Sequence, residues 1–584
     1  MSRMILREKR PRVPWPVIAA GTLAAIYILA PVLALGLRVP WGQLSDTLSS
    51  PTTHDLLRVS LSAAALSTLL STFLGTCLAL WLQQLRRASH LVRLVVYLPL
   101  AMPPVVGGLA LTALLGRRGL LGPVLEQAGL HISFAFPGVV AAHLFVTLPF
   151  VVVAVDSALR QLDPEVVASA RGVGLSPGTI LRHIILPAIL PAVFTGGALA
   201  FARSLGEFGT TITFAGSLPG STRTMPSGIY LEREVSADKA YALSAVLIGI
   251  AILTLTAAGT PLLLRRRREQ AVRALQPMDP NALRAATAPL TPPHDLSVTV
   301  GDTTTTFRGG RVTAVVGPNG AGKTTLMRFT SGRLQGAQTN TERVIMLSQN
   351  PGLPPTATVA QALTMVTNDP RRTEELLKAA GLQELVHVSE LSGGQAAQVA
   401  LLRALAARPE VLVADEPFAA MDVESAARWR HLLRISAADR TTVIVTHSCV
   451  DLTTLADDVA VMEAGEVTSQ GPADRLLEQP TTRFMAELAG VNVLRGSIRG
   501  DAFAPDRDGE HWAAFPQTAL HFDPTGAQHA TSLSATIVAD LGSTTLVDID
   551  GQRVTVGQPA RKNAPGQVVP VALDASTLTV YTRT

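Results

Sequence analysis

The sequence predicts a multidomain fold: an all-α transmembrane region of six helices, then an α/β domain of the P-loop class, then a small β-barrel. Three observations predict it. The first 268 of the 584 residues contain six long apolar runs, which is the pattern of membrane-spanning helices. The second half contains GPNGAGKTT (317–325), a glycine-rich loop that suits phosphate binding. The last part alternates short β-type runs with turn residues.

Length and composition agree with this division. A chain of 584 residues exceeds a single core and indicates several domains. Hydrophobic residues make up 47% but aromatic residues only 4%, so the apolar content is mainly aliphatic and suits a lipid bilayer. The net charge of +5 comes largely from basic residues beside apolar runs, so no nucleic-acid partner is needed to explain it. Only two cysteines, Cys77 and Cys449, are present, which argues against a disulfide framework and against a cysteine metal site.

The apolar runs predict six membrane spans, at 15–37, 57–82, 94–115, 137–158, 187–214 and 240–264. An even number of spans places both ends on one side. That side is predicted to be cytoplasmic from the basic residues that flank the runs: those near the N-terminus, Arg86, Arg87, Arg93 and 265–268. Arg117 and Arg118 oppose this assignment. A signal peptide is the alternative for the first run, but the run is long and lacks an evident cleavage site.

The segment between the fourth and fifth spans, 162–191, is predicted to contain a short cytoplasmic helix. Asp163 suits the N-cap, and Glu165 suits the first turn. One interpretation is a plain surface helix. However, Gly174, Pro177 and the later 185–187 resemble the coupling loop of ABC importer permeases, which implies docking onto an ATPase. The glutamate of that motif is absent at Ala168, and Glu165 lies one turn earlier.

Two ionisable residues lie within the fifth apolar run. Charged groups inside a membrane are costly, and Arg203 and Glu207 are four residues apart, so they are expected to share a helix face and pair. A structural ion pair and a role in lining the path of an anion both remain open. The sequence of 201–230 closely resembles that of the molybdate-type permeases, which are related to the sulfate permeases. The resemblance to this subfamily extends over about 55–262.

Residues 269–296 are rich in Ala and Pro and predict a flexible linker. The predicted domain boundaries are therefore 1–268 for the transmembrane permease, 269–296 for the linker, 297–490 for the ATPase and 491–584 for the C-terminal domain.

The P-loop follows a predicted strand and precedes a helical pattern, as phosphate binding requires. Lys323 is expected to reach the β and γ phosphates and Thr324 to bind Mg²⁺. The strand at 411–417 ends in Asp415, predicted to bind the metal, and Glu416, predicted to polarise the attacking water. ATP and Mg²⁺ are the expected cofactors. The residues of the loop predicted to bind nucleotide are Gly317, Asn319, Gly320, Gly322, Lys323, Thr324 and Thr325.

LSGGQ (391–395) resembles the signature of the ABC transporters. The resemblance implies that this segment contacts the γ phosphate held by the opposite ATPase domain, so a homodimer is expected. The residues involved are Ser392, Gly393, Gly394 and Gln395. Gln349 resembles the family's Q-loop residue and is predicted to be catalytic and a metal ligand. Asp422 resembles its D-loop acid and is predicted to bind nucleotide. His447 resembles its switch histidine and is predicted to be catalytic with Glu416.

Three features depart from the family's pattern. The family has an aromatic residue upstream of the P-loop that stacks on adenine, whereas 296–310 offers only Phe307. The short spacing between Lys323 and Gln349 predicts a trimmed antiparallel β subdomain. The signature continues as AAQVALLRAL (396–405) rather than the commoner polar and basic version.

From about Asn492 the β-type runs resemble the OB-like accessory domain that follows importer ATPases. Such a domain either binds the transported ion and inhibits transport or aids dimer contact. The second role is favoured because no cluster of anion-binding residues is evident.

The resemblances together imply a homodimeric ABC importer, multi-pass in the cytoplasmic (inner) membrane, with its ATPase and C-terminal domain on the cytoplasmic side. Its expected substrate is an oxyanion delivered by an external binding protein, with molybdate or tungstate ahead of sulfate. The alternatives are an importer of sulfate, thiosulfate or another solute, and a membrane-tethered regulatory ATPase that moves no solute. An exporter is disfavoured by the importer-like loop at 162–191.

Overall fold

The computed structural model describes residues 14–85, 88–264, 276–341, 343–499, 502–522, 531–540, 544–557, 565–574 and 577–582. Two compact units contain them. The first unit is Met1–Leu162 with Ile185–Arg267, and the second is Asp163–Ile184 with Arg268–Thr584. The basic residues before 14, at 86–87 and at 265–268, which supported the predicted topology, lie outside the described residues.

Thirteen helices occur in the described residues up to 264. They are α1 (Trp15–Arg38), α2 (Leu44–Ser49), α3 (Pro51–Leu82), α4 (Ser89–Ala101), α5 (Pro104–Leu115), α6 (Gly122–Gln127), α7 (Phe136–Gln161), α8 (Pro164–Gly172), α9 (Pro177–Ile180), α10 (Leu186–Leu205), α11 (Gly209–Phe214), α12 (Met225–Glu232) and α13 (Ala237–Leu264). A π-helical turn, Leu181–Ile185, joins α9 to α10. Helices α8 and α9 belong to the second unit, and the other eleven to the first.

Five helical stretches among the described residues are long and apolar enough to cross a membrane, and a sixth is reached if α4 and α5 count as one span. The prediction of a single span at 94–115 is wrong in one respect, because α4 and α5 meet at 116°. The cause is the pair Pro103–Pro104: a proline has no N–H to donate and disfavours a helical residue before it. The predicted span 187–214 likewise ends at Leu205, and Gly206–Phe208 separates it from α11.

The centre of the first unit is formed by α3, α7 and α10. Small residues allow these helices to approach closely. A Cβ added at Gly75 of α3 would lie 3.0 Å from the Val151 side chain of α7, and one added at Gly196 of α10 would lie 3.1 Å from Ala154 of α7. Apolar packing around Leu82 and Ile189 surrounds these contacts.

The second unit continues with nine helices and eighteen strands among the described residues. Its helices are α14 (Pro280–Thr287), α15 (Lys323–Thr330), α16 (Val359–Thr367), α17 (Pro370–Ala379), α18 (Gly393–Ala406), α19 (Val423–Ser436), α20 (Cys449–Thr454), α21 (Ala473–Glu478) and α22 (Arg483–Ala489). Its first nine strands are β1 (Leu296–Val300), β2 (Thr303–Phe307), β3 (Val312–Val316), β4 (Ala337–Thr339), β5 (Val344–Leu347), β6 (Val411–Asp415), β7 (Thr441–Val445), β8 (Asp458–Glu463) and β9 (Glu466–Pro472).

These nine strands form two sheets. The larger has the order β5-β6-β7-β3-β8-β9 and is parallel except for the last pair. Helices cover it, and the side chains between them form a continuous apolar core that includes the fully buried Trp429 and Leu401. The smaller sheet is antiparallel, with the order β2-β1-β4. Strand β4 has only three residues, in agreement with the trimmed subdomain that the short spacing predicts.

The predicted flexible linker at 269–296 is wrong for its described part, which begins at Gln276. Helix α14 is capped by Asp279, whose carboxylate accepts from the N–H groups of Asn281 and Ala282 at 3.1 and 3.0 Å. Leu283 is fully buried in the core of the second unit. Arg284 pairs with Asp439 at 2.7 Å. About two turns of amphipathic helix are enough to attach this segment, which is too short to stand out in the sequence.

The C-terminal region is all-β, apart from one 3₁₀ turn (Gln517–Ala519), in its described residues, as predicted. The strands are β10 (Val491–Arg499), β11 (Ala502–Pro505), β12 (His511–Pro516), β13 (Leu520–Phe522), β14 (Thr531–Asp540), β15 (Thr545–Ile549), β16 (Gln552–Val556), β17 (Val568–Leu573) and β18 (Thr579–Thr582). They form antiparallel sheets with the orders β11-β10-β12-β18 and β13-β17-β14-β15-β16 around one apolar core. Closure into an OB-like barrel stays a prediction.

Candidate functional site

The glycine-rich loop leaves the buried strand β3 and leads into α15. Gly317 is required because a Cβ there would lie 2.2 Å from the carbonyl oxygen of Met462. Gly322 has φ +96°, a conformation that favours glycine, directly before the first residue of α15. The loop therefore presents its N–H groups at a helix N-terminus, which is the arrangement that binds phosphate.

Lys323 is 7% exposed and curls back over the loop. Its Nζ donates to the carbonyl oxygens of Gly317 and Pro318 at 2.7 and 2.9 Å. Burial lowers the pKa of Lys323, and the carboxylates of Asp415 and Glu416 oppose that shift. The ammonium group thus lies in the loop with two acids nearby, where it can bind phosphate oxygens.

Thr324 and Asp415 lie together, as predicted for a metal site. Thr324 Oγ1 donates to Asp415 Oδ2 at 2.9 Å, and Asp415 is the last residue of β6. Gln349, just beyond β5, lines the same cavity. Hydroxyl, carboxylate and amide oxygens are the donor set of a hard cation such as Mg²⁺. These three residues therefore fit the ion that the sequence predicts.

Glu416 lies at the centre of the three residues predicted to be catalytic. Its φ of +48° is unusual for a residue other than glycine, and its N–H donates to the Val445 carbonyl at 3.0 Å. Glu416 Oε2 accepts a hydrogen bond from Gln349 Nε2 at 3.1 Å. Glu416 Oε1 lies 3.5 Å from His447 Nε2. Strained backbone therefore positions one carboxylate between two polar partners.

A cavity of about 490 Å³ unites most of the predicted residues. It is lined by Asn319, Gly320, Ala321, Gly322, Lys323, Thr324, Thr325, Gln349, Asp415, Glu416, Val445 and His447. Its volume and its mainly polar lining suit a polyphosphate. The predicted residues of this lining therefore meet at one place, while their roles in binding and catalysis stay predictions.

The predicted signature residues lie outside this cavity. Ser392 caps α18: its side chain accepts from the Gln395 N–H at 3.2 Å, and the Gln395 side chain accepts from the Ser392 N–H at 3.0 Å. A Cβ added at Gly394 would lie 2.7 Å from the Ala420 carbonyl, while Gly393 begins the helix. The segment is therefore a preformed helix start that contributes nothing to the cavity of its own chain.

Asp422 also lies outside the cavity and caps α19. Its carboxylate accepts from the Ser425 N–H at 2.8 Å. Hydrogen bonds from Ser425 hold the pKa of Asp422 below its usual range. This acid stays ionised as a helix cap, and a contact with nucleotide stays a prediction.

A second cavity, of about 390 Å³, shares Gly322 and Thr325 with the first. Phe307, the aromatic residue that the upstream segment offers, is fully buried in the core beneath the sheets and cannot stack on a ligand. The second cavity contains another aromatic residue, Phe329, one turn after Thr325 on α15, opposite Val300 of β1. Sequence reasoning missed Phe329 because it follows the P-loop.

The predicted helix at 162–191 is present as α8. The Asp163 carboxylate accepts from the Glu165 N–H at 2.8 Å, and it also accepts a hydrogen bond from Asn350, the neighbour of Gln349. Glu165 forms an ion pair of 2.7 Å with Arg333, and both side chains are less than a fifth exposed. Arg333 also donates to the Met346 carbonyl of β5 at 3.1 Å. The first turn of α8 therefore contacts Asn350 directly, on one side of Gln349, and is connected through Arg333 to Met346 on the other side.

Gly174 and Pro177, the other predicted residues of this loop, shape its turn. Gly174 has φ +84°, and Pro177 is the first residue of α9, capped by Ser176. They determine where α8 ends and α9 begins. Among the residues that the structure describes, neither Gly174 nor Pro177 lines the P-loop cavity.

Sequence reasoning also missed Arg403, which lies on the signature helix α18. Its Nη2 donates to the side chain of Ser169 in α8 and, at 3.1 Å, to the carbonyl oxygen of Gly352. The side chain is buried, and burial lowers the pKa of Arg403 to about 10. Arg403 is the one charged residue in the apolar segment 396–405 that follows LSGGQ. A single charge in an apolar segment was the sequence feature that could have indicated a buried polar contact.

Arg203 and Glu207 form the predicted ion pair, with 2.7 Å between Arg203 Nη1 and Glu207 Oε2. The prediction that they share a helix face is wrong, because α10 ends at Leu205 and Glu207 lies in the break that follows. Glu207 is 1% exposed and accepts from the Thr210 N–H at 2.8 Å. Its carboxylate thus bridges the end of α10 and the start of α11, and a role in a substrate path stays a prediction.

Two family models match the chain. Residues 68–269 match the "binding-protein-dependent transport system inner membrane component" family, and residues 300–419 match the "ABC transporter" family. The molybdenum transport system permease protein of Mycobacterium bovis is 42% identical over 235 residues, which are 40% of this chain and 89% of that protein.

Two further relatives are each similar to part of this chain. The molybdenum import ATP-binding protein of Mycobacterium tuberculosis is 33% identical over 322 residues, with 46% of this chain and 85% of that protein covered. The sulfate transport system permease protein of Salmonella typhimurium is 29% identical over 265 residues, with 44% of this chain and 96% of that protein covered. The two family models place the similarity to transport permeases in the apolar half and the similarity to ABC transporters in the half with the P-loop.

Proposed function

Since the chain belongs to the ABC importers of the molybdate and sulfate type, with permease and ATPase fused in one polypeptide, we propose that it imports molybdate or tungstate across the cytoplasmic membrane, driven by ATP hydrolysis. The observation that best supports coupled transport is the attachment of α8, which interrupts the apolar half, to Arg333, Asn350 and Arg403 of the ATPase half. If the membrane half did not use ATP hydrolysis, α8 would not need to contact the ATPase half at the segment that leads to Gln349.

Molybdate and tungstate are proposed ahead of sulfate because the Mycobacterium bovis permease named for molybdenum matches at 42% identity, while the Salmonella permease named for sulfate matches at 29%. An importer of sulfate or thiosulfate is the second candidate. A regulatory ATPase that moves no solute is disfavoured because Glu416 and its partners are in place and the apolar half has the sequence of a permease.

The cavity residues suggest how ATP is hydrolysed. Lys323 binds the terminal phosphates, and Glu416, held by Gln349, accepts hydrogen bonds from the attacking water and polarises it. His447, 3.5 Å from Glu416, helps to orient that carboxylate. Thr324, Asp415 and Gln349 would hold Mg²⁺, which when bound neutralises charge on the phosphates. Lys323 and the Mg²⁺ ligands thus act on the terminal phosphate, where charge develops in the transition state, whereas Glu416 and His447 act on the attacking water.

The proposed assembly is a homodimer. Ser392, Gly393, Gly394 and Gln395 lie outside their own chain's cavity, and a helix start of this kind suits the γ phosphate held by a second copy. An external binding protein delivers the oxyanion. The ATPase, at 297–490, and the all-β region, at 491–584, lie on the cytoplasmic side, and the latter is an OB-like barrel that supports dimer contact.

Reconstituted vesicles test this function. The full chain, supplied with its purified binding protein and ATP, is expected to accumulate molybdate or tungstate inside the vesicles, as measured by elemental analysis. Sulfate is the comparison ion. Active ATPase without accumulation of any of the three ions would contradict transport, and accumulation of sulfate alone would select the second candidate.

We expect Phe329→Ala to raise the KM for ATP several-fold and to leave kcat within about twofold. The cavity that contains Phe329 adjoins Gly322 and Thr325 and is large enough for a purine, so an aromatic face there contributes base stacking worth about 1 kcal/mol. Steady-state ATPase assays measure both constants. Phe307→Leu, a change at a fully buried residue that does not itself line the cavity, is the control, and an unchanged KM for Phe329→Ala would exclude base binding in this cavity.

A further inference from the structure

A chain of hydroxyl groups meets a buried histidine where α3, α7 and α10 pack together. Ser204 Oγ of α10 lies 2.6 Å from His143 Nδ1 of α7 and 3.1 Å from Ser67 Oγ of α3. Beside it, Ser71 Oγ lies 2.7 Å from Thr147 Oγ1, which donates to the His143 carbonyl at 2.8 Å. We call Ser67, Ser71, His143, Thr147 and Ser204 the hydroxyl–imidazole cluster.

His143 uses only one of its ring nitrogens within this cluster. The residue is 1% exposed, and Nε2 is buried with no hydrogen-bond partner among the residues that the structure describes. An unpaired polar atom inside a membrane domain costs stability, because neither water nor lipid can satisfy it. A purely structural position would not need an imidazole, since the contact with Ser204 requires only Nδ1.

The hydroxyl groups allow His143 to present a donor at Nε2. If Ser67 donates to Ser204 and Ser204 donates to Nδ1, the ring proton is on Nε2. If the bonds run in the opposite direction, Ser67 donates to the Ala64 carbonyl at 3.2 Å and Nε2 is an acceptor. Rotation of two hydroxyl groups and a change of tautomer interconvert the two arrangements. A group that binds at Nε2 therefore selects the arrangement that suits it.

The chemistry of the cluster suits an anion. Its members are hydroxyl groups and one imidazole, none of them a carboxylate. The nearest carboxylate along α10 and its break, Glu207, is already bound by Arg203 and by the Thr210 N–H. A deprotonated tetrahedral oxyanion has only acceptor atoms and needs hydrogen-bond donors when it leaves water. With the ring proton on Nε2, the cluster offers that one donor and has no free acid that would repel an anion.

We infer that Nε2 of His143 binds the tetrahedral oxyanion during its passage through the permease, with Ser204 fixing the ring. This inference rests on the proposed import of an oxyanion and names one residue of its path. His143 is the eighth residue of α7, about 10 Å along the helix axis from its start. Ser204 lies one residue before the end of α10, and the non-helical segment that follows begins at Gly206. Non-helical backbone at such depth is typical of substrate sites in transporters.

Two substitutions separate the ring nitrogens. The amide nitrogen of glutamine reaches about as far as Nε2, whereas that of asparagine reaches about as far as Nδ1. In vesicles with the full chain and its binding protein, His143→Gln is expected to keep tungstate uptake within about threefold of the wild type. His143→Asn, which keeps only the contact with Ser204, is expected to lose about tenfold or more, the effect of one charge-assisted hydrogen bond.

The control is Thr195→Ala, which removes a hydroxyl group of α10 that bonds only within its own helix, to Pro191, and lies outside the cluster. Its uptake should match the wild type. Uptake that survives in His143→Asn but is lost in His143→Gln would assign the histidine a structural role and overturn the inference. Uptake that survives in both variants would overturn it as well.

If both variants lose uptake, equilibrium dialysis of the detergent-solubilised full chain against tungstate decides. Binding retained by His143→Gln and lost by His143→Asn supports the site, and any other pattern overturns it. Failure of the proposed function itself is distinguishable, because the wild-type chain would then accumulate none of molybdate, tungstate or sulfate while its ATPase remained active.

Discussion

Replacement of Glu416 by glutamine is expected to reduce ATP hydrolysis by at least about two orders of magnitude, the usual contribution of a positioned general base. Glutamine has the same shape as glutamate, so it still reaches Gln349, whose Nε2 lies 3.1 Å from Glu416 Oε2 in the wild type. It has no carboxylate to polarise water. Lys323 and Thr324, which are expected to bind the phosphates, do not change, so nucleotide binding should persist. Phosphate release and equilibrium binding of labelled ATP measure the two effects separately.

A matched control is Glu410→Gln, which removes a carboxylate just before β6 that pairs with Arg343 at 3.3 Å and lies outside the cavity. Its hydrolysis should stay near the wild-type rate. The vesicle assay adds a third readout, since Glu416→Gln should also stop oxyanion accumulation. Normal hydrolysis in Glu416→Gln would refute the role assigned to this residue.

The residues of the P-loop cavity were predictable because each belongs to a short segment with its own spacing. Strand β3 and the glycine loop adjoin in sequence, and Asp415 and Glu416 directly follow a run of buried residues. Parallel strands place such segments at one edge of a sheet, so Gln349, Glu416 and His447 converge without any long-range information beyond the strand order.

The partners of α8 were not predictable in the same way. Glu165 and Arg333 are 168 residues apart, and Ser169 and Arg403 are 234 residues apart. No local pattern connects them. The bend between α4 and α5 and the ordered helix α14 were missed for another reason: hydropathy averaged over a window hides one Pro–Pro pair, and a helix of 8 residues has too few turns to show a period.

Two contacts of α8 lie on either side of Ala168, the position at which the coupling motif has its glutamate. Glu165 lies one turn before the usual position, yet it binds Arg333, which also holds the carbonyl of Met346 in β5. Ser169 lies one turn after Glu165 on α8. It binds Arg403, which lies near the C-terminal end of α18, the helix that begins with the signature residues. We therefore expect a movement of α18 or of the segment at Gln349 to reach α8 through these two arginines, which contact Glu165 and Ser169 on the same face of α8.

Charge reversal at the Glu165–Arg333 pair is therefore expected to uncouple transport from hydrolysis. Glu165→Arg and Arg333→Glu each place like charges at a contact of 2.7 Å where both side chains are largely buried. We expect each single variant to lose about tenfold or more of its oxyanion uptake, since breaking a buried pair costs several kcal/mol. ATP hydrolysis should remain, because neither residue lines the P-loop cavity. Uptake per ATP hydrolysed, measured in the same vesicles, reports the loss.

The double variant Glu165→Arg with Arg333→Glu restores opposite charges and is expected to recover a substantial part of the uptake, as a double-mutant cycle requires for a direct interaction. Glu487→Arg, which reverses one member of the exposed pair with Arg483, supplies the control, because exposed ion pairs contribute little. Recovery will be incomplete, since a glutamate at 333 cannot donate to the Met346 carbonyl as the arginine does. Equal uptake per ATP in the single variants and the wild type would show that α8 does not transmit movement through this pair.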